Sequence, residues 1–297
     1  MQASQQHTSV IPVIGLLIAA SFWGVFWYPL RILETYGLDG IWATLFIYTG
    51  TMIFAMPILF RRFGELRISP MLMIGILLFG GWTNAAFILA LMDGEIVRVI
   101  LLFYLSPIWA TLLAKFILKE HLSRMAYLTI AIAIFGAMTM LWSPEVGYPW
   151  PASMADWLAL SSGLAFALAN VFTHMANKVS VQVKTSVTWV GVIVVAGMMI
   201  LVIGDTNVAF QTEGVFKAFL LGALIMSFVT YCVVYGVTHM PVHRSAVILI
   251  FEVVAAAISS YLFTNERMSL LEWTGGSIVV FAAYLAALEH RRSAKNI

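Results

Sequence analysis

"ILLFYLSPIWATLLAKFILKEHLS", residues 100–123, is an apolar run with one proline near its middle and a Lys-Glu pair near its end. A second stretch, "AVILIFEVVAAAISSYLFTNERMS" at 246–269, lies over it without a gap when 146 is added to each number. Glu120 then falls on Glu266, Ser123 on Ser269, and Ser106-Pro107 on Glu252-Val253. Extended to 97–141 and 243–287, the register keeps seven identities in 45 positions: Arg98, Ala110, Glu120, Ser123, Ile132, Phe135 and Ala137 with their partners. That is low for two apolar segments. The ungapped register and the matched acids at the helix ends make the pair read as an internal duplication.

The surrounding chain is 62% hydrophobic and 10% charged, where a soluble domain carries about 25% charge. A helix needs about 20 apolar residues to cross a hydrocarbon core of roughly 30 Å. Ten windows qualify, roughly 12–31, 40–60, 70–92, 97–115, 124–142, 155–175, 185–204, 216–238, 244–263 and 271–289. The connections between them are short, so the chain is expected to form one all-α integral membrane domain. The ten residues before the first window carry no Lys or Arg, which argues against a cleaved signal peptide. The single cysteine, Cys232, falls inside the eighth window and excludes an internal disulfide.

With ten spans both termini share one side. If that side is the cytoplasm, the inner segments hold 12 of the 16 Lys and Arg residues, and only Arg31, Arg98, Lys217 and Arg267 lie outside. The bias predicts an N-in, C-in chain. Five spans per half is an odd number, so repeat one (about 11–142) and repeat two (about 155–289) are expected to be inverted. Inverted repeats are a recurring transporter design, with the substrate site near midplane where the halves meet.

The stretch "LALMDGEIVRVILLFYLSPIWATLLAKFILKEHLS" resembles the end of the third and the whole fourth span of the drug/metabolite transporter superfamily, EamA-like branch. "YGVTHMPVHRSAVILIFEVVAAAISSYLFTNERMSLLEWTGGSIVVFAAYLAAL" is similar to the matching part of its second repeat. "IAASFWGVFWYPL" and "LALSSGLAFALANVF" resemble the spans that open each half. The first-span aromatics are most similar to YddG-type aromatic amino-acid exporters. The resemblance implies export of aromatic and other neutral amino acids, or related small metabolites, across a bacterial cytoplasmic membrane. The family usually has a proline in span nine as well, where this chain has Glu252-Val253. The expectation is therefore a hinge in one crossing helix only, and an ionisable group in the other.

Glu252 sits about nine residues into its window. A charge at that depth costs about 2.5–3.5 kcal/mol on insertion scales, so it is expected to face the bundle interior or water. It reads either as a counter-ion or proton carrier, or as a protonated carboxyl that holds packing. The mid-span windows offer no Lys or Arg, so a substrate carboxylate would need Asn84, Asn170, a helix N-terminus or water. Both asparagines read equally as interhelical packing bonds. His174 reads as a boundary residue in the last turn of span six.

Trp23 and Trp27 share a helix face one turn apart and offer ring surfaces to an apolar substrate or to a neighbouring helix. Tyr231 and Tyr235 repeat that spacing in span eight, and Tyr104 stands beside Ser106 in span four. Pro107 removes one backbone hydrogen bond, which suits a mobile hinge or a static kink. The small pairs Ala255/Ser259 and Ala282/Ala286 are packing signatures. No phosphate-binding loop, HExxH or GxSxG motif is present. An intramembrane lipid-modifying enzyme, or a receptor or assembly subunit without transport, are the competing classes. The expected partners are a small-molecule substrate and membrane lipid, with no nucleic acid, cofactor or metal.

Overall fold

The computed structural model describes residues 10–38, 40–94, 96–120, 122–142, 151, 153–203, 211–263 and 270–295. Its helices are α1 (Ile11–Val25), α2 (Trp27–Glu34), α3 (Gly40–Arg61), α4 (Phe63–Leu66), α5 (Pro70–Asp93), α6 (Ile96–Phe103), α7 (Ser106–Phe116) and α8 (Arg124–Leu141). The second half contains α9 (Met154–Met175), α10 (Val181–Ile203), α11 (Thr212–Leu221), α12 (Ser227–His239), α13 (Val242–Leu249), α14 (Phe251–Phe263) and α15 (Leu270–Lys295). A π-turn over Gly222–Met226 joins α11 to α12.

Local chemistry sets several boundaries. Pro12, Pro70 and Pro107 stand in the first turns of α1, α5 and α7, where a missing N–H costs nothing. Ser153 and Asp156 close a reciprocal capping box on α9, and Ser123 Oγ accepts the Ala126 N–H at the start of α8.

Among the described residues, seven stretches are long and apolar enough to cross a membrane: Ile11–Glu34, Gly40–Arg61, Pro70–Ala90, Met154–Met175, Val181–Val202, Thr212–His239 and Val242–Phe263. The other three windows read from the sequence are occupied by the α6–α7 pair, α8 and α15. The outward faces carry large apolar side chains such as Phe135, Leu201, Val202, Leu224 and Leu262, all well exposed, as suits contact with lipid rather than water. Contacts between helices use small residues instead.

Helix packing follows a pattern that survives exchange of the two halves. The first helix of each half packs on the other half: α1 against α12 and α14, α9 against α5 and α7. α3 meets α10, and α8 meets α15. Two glycines show how close these approaches are. A Cβ on Gly50 of α3 would stand 2.1 Å from the Phe219 carbonyl, and one on Gly191 of α10 would stand 2.1 Å from that of Leu77. Each is a second-helix glycine pressed on the opposite half.

The crossing helices correct the expected asymmetry. The sequence register of 146 carries α6 (Ile96–Phe103) onto α13 (Val242–Leu249) residue for residue. Both spans break directly after these segments. In the first half, Leu105 N–H donates to Leu102 O and Ile108 N–H to Leu105 O. In the second, Ile250 N–H donates to Val247 O and Val253 N–H to Ile250 O. These i to i−3 bonds tighten the chain by a 3₁₀ turn. The same turn thus forms in the second half without a proline. Val253, which stands in its place, still has an N–H and gives it to the tighter partner.

Candidate functional site

The two breaks meet at a cavity of about 120 Å³, room for several waters or a small solute. Its wall includes Trp23 of α1, Tyr48 of α3, Asn84 and Phe87 of α5, and Phe103 to Pro107 at the first break apart from Leu105. From the second half come Phe166, Asn170 and Thr173 of α9, Thr188 of α10, Thr230 of α12, and Ile250 and Glu252 at the second break.

Seven of the residues singled out from sequence therefore meet at one site: Trp23, Asn84, Tyr104, Ser106, Pro107, Asn170 and Glu252. Three stand elsewhere. Trp27 Nε1 donates to Ser259 Oγ at 2.9 Å and ties α2 to α14. Tyr231 and Tyr235 stack on each other, ring centroids 6.2 Å apart, and Tyr235 continues onto His239 at 4.2 Å.

Glu252 and Tyr104, one from each break, line the same cavity and lie close enough to interact. Gly24 makes room behind them. A Cβ there would fall 2.5 Å from the Glu252 carbonyl and 2.6 Å from Ala255 Cβ. Ser259 Oγ adds a bond to Gly24 O at 3.0 Å, so the small residues of α14 do serve the α1 contact. Phe87, Phe103 and Phe166 form a continuous aromatic wall, with centroid separations of 4.6 Å and 5.7 Å. Trp23 packs edge-on to Phe26 at 5.1 Å.

Asn84 is engaged at both ends of its amide, with Oδ1 accepting Tyr48 Oη at 2.9 Å and Nδ2 donating to Gly80 O at 3.0 Å. Asn170 is 6% exposed, and its Nδ2 has no acceptor among the described residues. A buried donor left open costs about 1–3 kcal/mol.

The sequence reading missed Lys184, which it counted with the basic residues of the inner connections. The side chain is fully buried. Its Nζ donates to Thr173 O at 3.1 Å and Thr238 Oγ1 at 2.7 Å, linking α10 to α9 and α12. Lys184 lies only three residues into α10, where composition cannot separate an interfacial lysine from one turned inward. The available signal was its run of small hydroxyl neighbours, Thr185, Ser186 and Thr188.

Near this end, a second polar cluster joins the two halves. Beyond the end of α7, Lys119 takes the left-handed region (φ 54°) and Glu120 N–H donates back to Ala114 O at 3.1 Å. The turn aims the Glu120 carboxylate at α13, where it meets His243 Nδ1 at 2.7 Å and the Val242 N–H at 3.3 Å. Burial pushes this carboxyl up. The His243 bond and charge, the Val242 N–H and the His174 charge outweigh that and hold it below its ordinary value. His174 Nδ1 itself lies 3.0 Å from Val237 O. Asn265 and Glu266, the repeat-two counterparts of Lys119 and Glu120, lie outside the described residues.

The comparisons with known proteins agree with this architecture. No curated protein matches the chain significantly. A solved structure described as "Crystal structure of protein" superposes with a TM-score of 0.75, covering 95% of this chain and 97% of that one at 16% identity. At that identity the likeness shows the fold alone. The profile of the EamA-like transporter family matches twice, over residues 10–142 and 153–288. The match spans nearly the whole described bundle and divides it where the two halves of the packing divide. This chain belongs to the EamA-like transporter family, within the drug/metabolite transporter superfamily.

Proposed function

We propose that this membrane protein is a secondary transporter that exports neutral amino acids, aromatic ones among them, or related small metabolites by alternating access. In this reading ten segments cross a bacterial cytoplasmic membrane with both termini inside, as two inverted repeats over about 11–142 and 155–289. The observation that carries it is the cavity at the meeting of two interrupted helices, one from each half, lined by Tyr104 from one and Glu252 from the other. Discontinuous helices at a repeat interface are a recurrent way to build a midplane substrate site.

The lining fits the substrate class. Glu252 offers its carboxyl oxygens to a substrate ammonium, and the Phe87–Phe103–Phe166 wall offers ring faces to an apolar or aromatic side chain. Tyr104 stands at one break and Glu252 at the other, so an occupant between them couples occupancy to the relative movement of the two breaks.

The test is flux in proteoliposomes of the purified chain. Labelled phenylalanine, tryptophan, threonine and methionine are expected to equilibrate faster than in empty vesicles, with the aromatic pair favoured. If all four leak at the background rate, the amino-acid reading is wrong.

A further inference from the structure

Two asparagines line the cavity, and among the described residues only one is hydrogen-bonded at both ends of its amide. Asn84 spends its Oδ1 on Tyr48 and its Nδ2 on Gly80, so its amide is held between α3 and α5. Asn170 has no such engagement for Nδ2. It stands on the α9 wall of the cavity, more than nine-tenths buried. Buried side-chain donors are nearly always paired, so an open one on a cavity wall points to an acceptor carried by the occupant. A half-turn of the amide exchanges its two ends, which leaves the donor free to turn to that acceptor.

The surroundings of Asn170 say which acceptor. Thr173, one turn further along α9, also lines the cavity, and its carbonyl accepts the Lys184 ammonium at 3.1 Å. Lys184 is not among the lining residues, so it makes no pair with the occupant, yet it places a positive charge behind this wall. Glu252 supplies acceptor oxygens from α14. The cavity thus has a donor wall backed by a cation and an acceptor wall made by a carboxyl group, an arrangement that suits the two ends of an α-amino acid.

We propose that Asn170 is the specificity-determining residue for the substrate carboxylate: its amide donates to that carboxylate while Glu252 receives the ammonium, so the site selects α-amino acids over amines with the same side chain. Asn84 has a structural role in the same wall. The proposal rests on the transporter reading above and refines its substrate class.

Phenylalanine, phenethylamine and 3-phenylpropionate share a phenyl group and differ in which charged group they carry. Inhibition of labelled phenylalanine counterflow by each, and labelled phenethylamine uptake, are measured in proteoliposomes of wild type, Asn170→Ala and Asn170→Asp. In the wild type phenylalanine is expected to outcompete both analogues. Asn170→Ala should weaken phenylalanine by about 10-fold, the loss of one charge-assisted hydrogen bond, and leave phenethylamine within about 2-fold. Asn170→Asp, close to isosteric, should reject phenylalanine and 3-phenylpropionate while still accepting the amine. Thermal melts in detergent confirm that each variant is folded, and the Asp variant answers if the Ala variant is not. Equal losses for phenylalanine and phenethylamine, or unchanged phenylalanine affinity in both variants, overturn the inference while leaving the transporter reading intact. A folded wild type that carries neither probe overturns both.

Discussion

Glu120 Oε2 stands 2.7 Å from His243 Nδ1, joining the end of α7 in the first repeat to the first turn of α13 in the second. The acid that closes one crossing helix therefore caps the start of the other. Its Oε1 takes the Val242 N–H, an N-terminal donor that lacks an intrahelical partner. Each crossing helix is broken at the cavity, so its outer segment is short and gains from being anchored at the far end.

Glu120→Gln keeps the shape and removes the charge. Because the folded carboxyl sits below its ordinary value, its contribution is complete above the unfolded value near 4.3. It is lost as pH falls through the lower, folded value. The variant is expected to lose about 1.5–3 kcal/mol at pH 7, the range for a hydrogen bond to a charged group. Its melting curve should converge with wild type on acidification. Thermal melts in detergent from pH 7 to pH 3 check both the loss and the convergence. A constant offset across that range would assign the loss to packing instead.

Glu252→Gln tests the carboxylate at the cavity. A neutral amide keeps the shape but loses the charge-assisted bond to an ammonium, so amino-acid affinity should drop about 10-fold or more. If Glu252 also carries the proton, the variant's flux becomes independent of an imposed pH gradient. Gradient-driven flux equal to wild type would place coupling at another group. Tyr104→Phe is the companion measurement and should leave substrate binding in place, since the ring still lines the cavity and Glu252 still receives the ammonium.

Pro107→Ala is expected to fold and to retain the break in span four. The matching break in span nine forms with Val253 at the same register and no proline. Tertiary packing holds that bend, so restoring one N–H should change stability by less than about 1 kcal/mol. Uptake kinetics and a melt check this. A loss of transport with an unchanged melting temperature would show that the proline itself serves the movement.

Glycine substitutions separate close helix contact from open surface. Gly222→Ala would drive a Cβ to 1.7 Å from the Ile47 carbonyl, where backbone must shift. A Cβ at Gly64 meets nothing within 4 Å. The first should lower stability by about 1–3 kcal/mol or more, as overpacking does, and the second should be close to neutral. Fluorescence size-exclusion of the two variants gives the comparison directly.

Orientation is open to cysteine labelling, since the native Cys232 is buried. In a Cys232→Ala background, Glu213→Cys is expected to react with an impermeant maleimide in intact cells. Lys178→Cys should react only after permeabilisation. Both native side chains are exposed. The reverse pattern would invert the proposed topology.

Membrane residence, family and the two-repeat plan were legible in the residues, because composition, hydropathy windows and register are properties of the chain itself. The ungapped register of 146 even located both helix breaks, although it did not show that they were breaks. Pro107 marks the first in the sequence, whereas the i to i−3 bonds at Ile250 and Val253 form the second with no proline to mark it. The sequence also placed Trp23, Trp27, Asn84 and Asn170 on equal terms. Only the tertiary structure turned Trp27 towards Ser259, satisfied Asn84 through Tyr48, and left Asn170 open at the cavity. Burial of Lys184 belongs to the same class. In an apolar chain every helix face is hydrophobic, so periodicity carries little record of which face turns inward. That choice is made by close contact between helices at glycines and hydroxyls, and by the few polar groups whose hydrogen bonds must be met away from lipid.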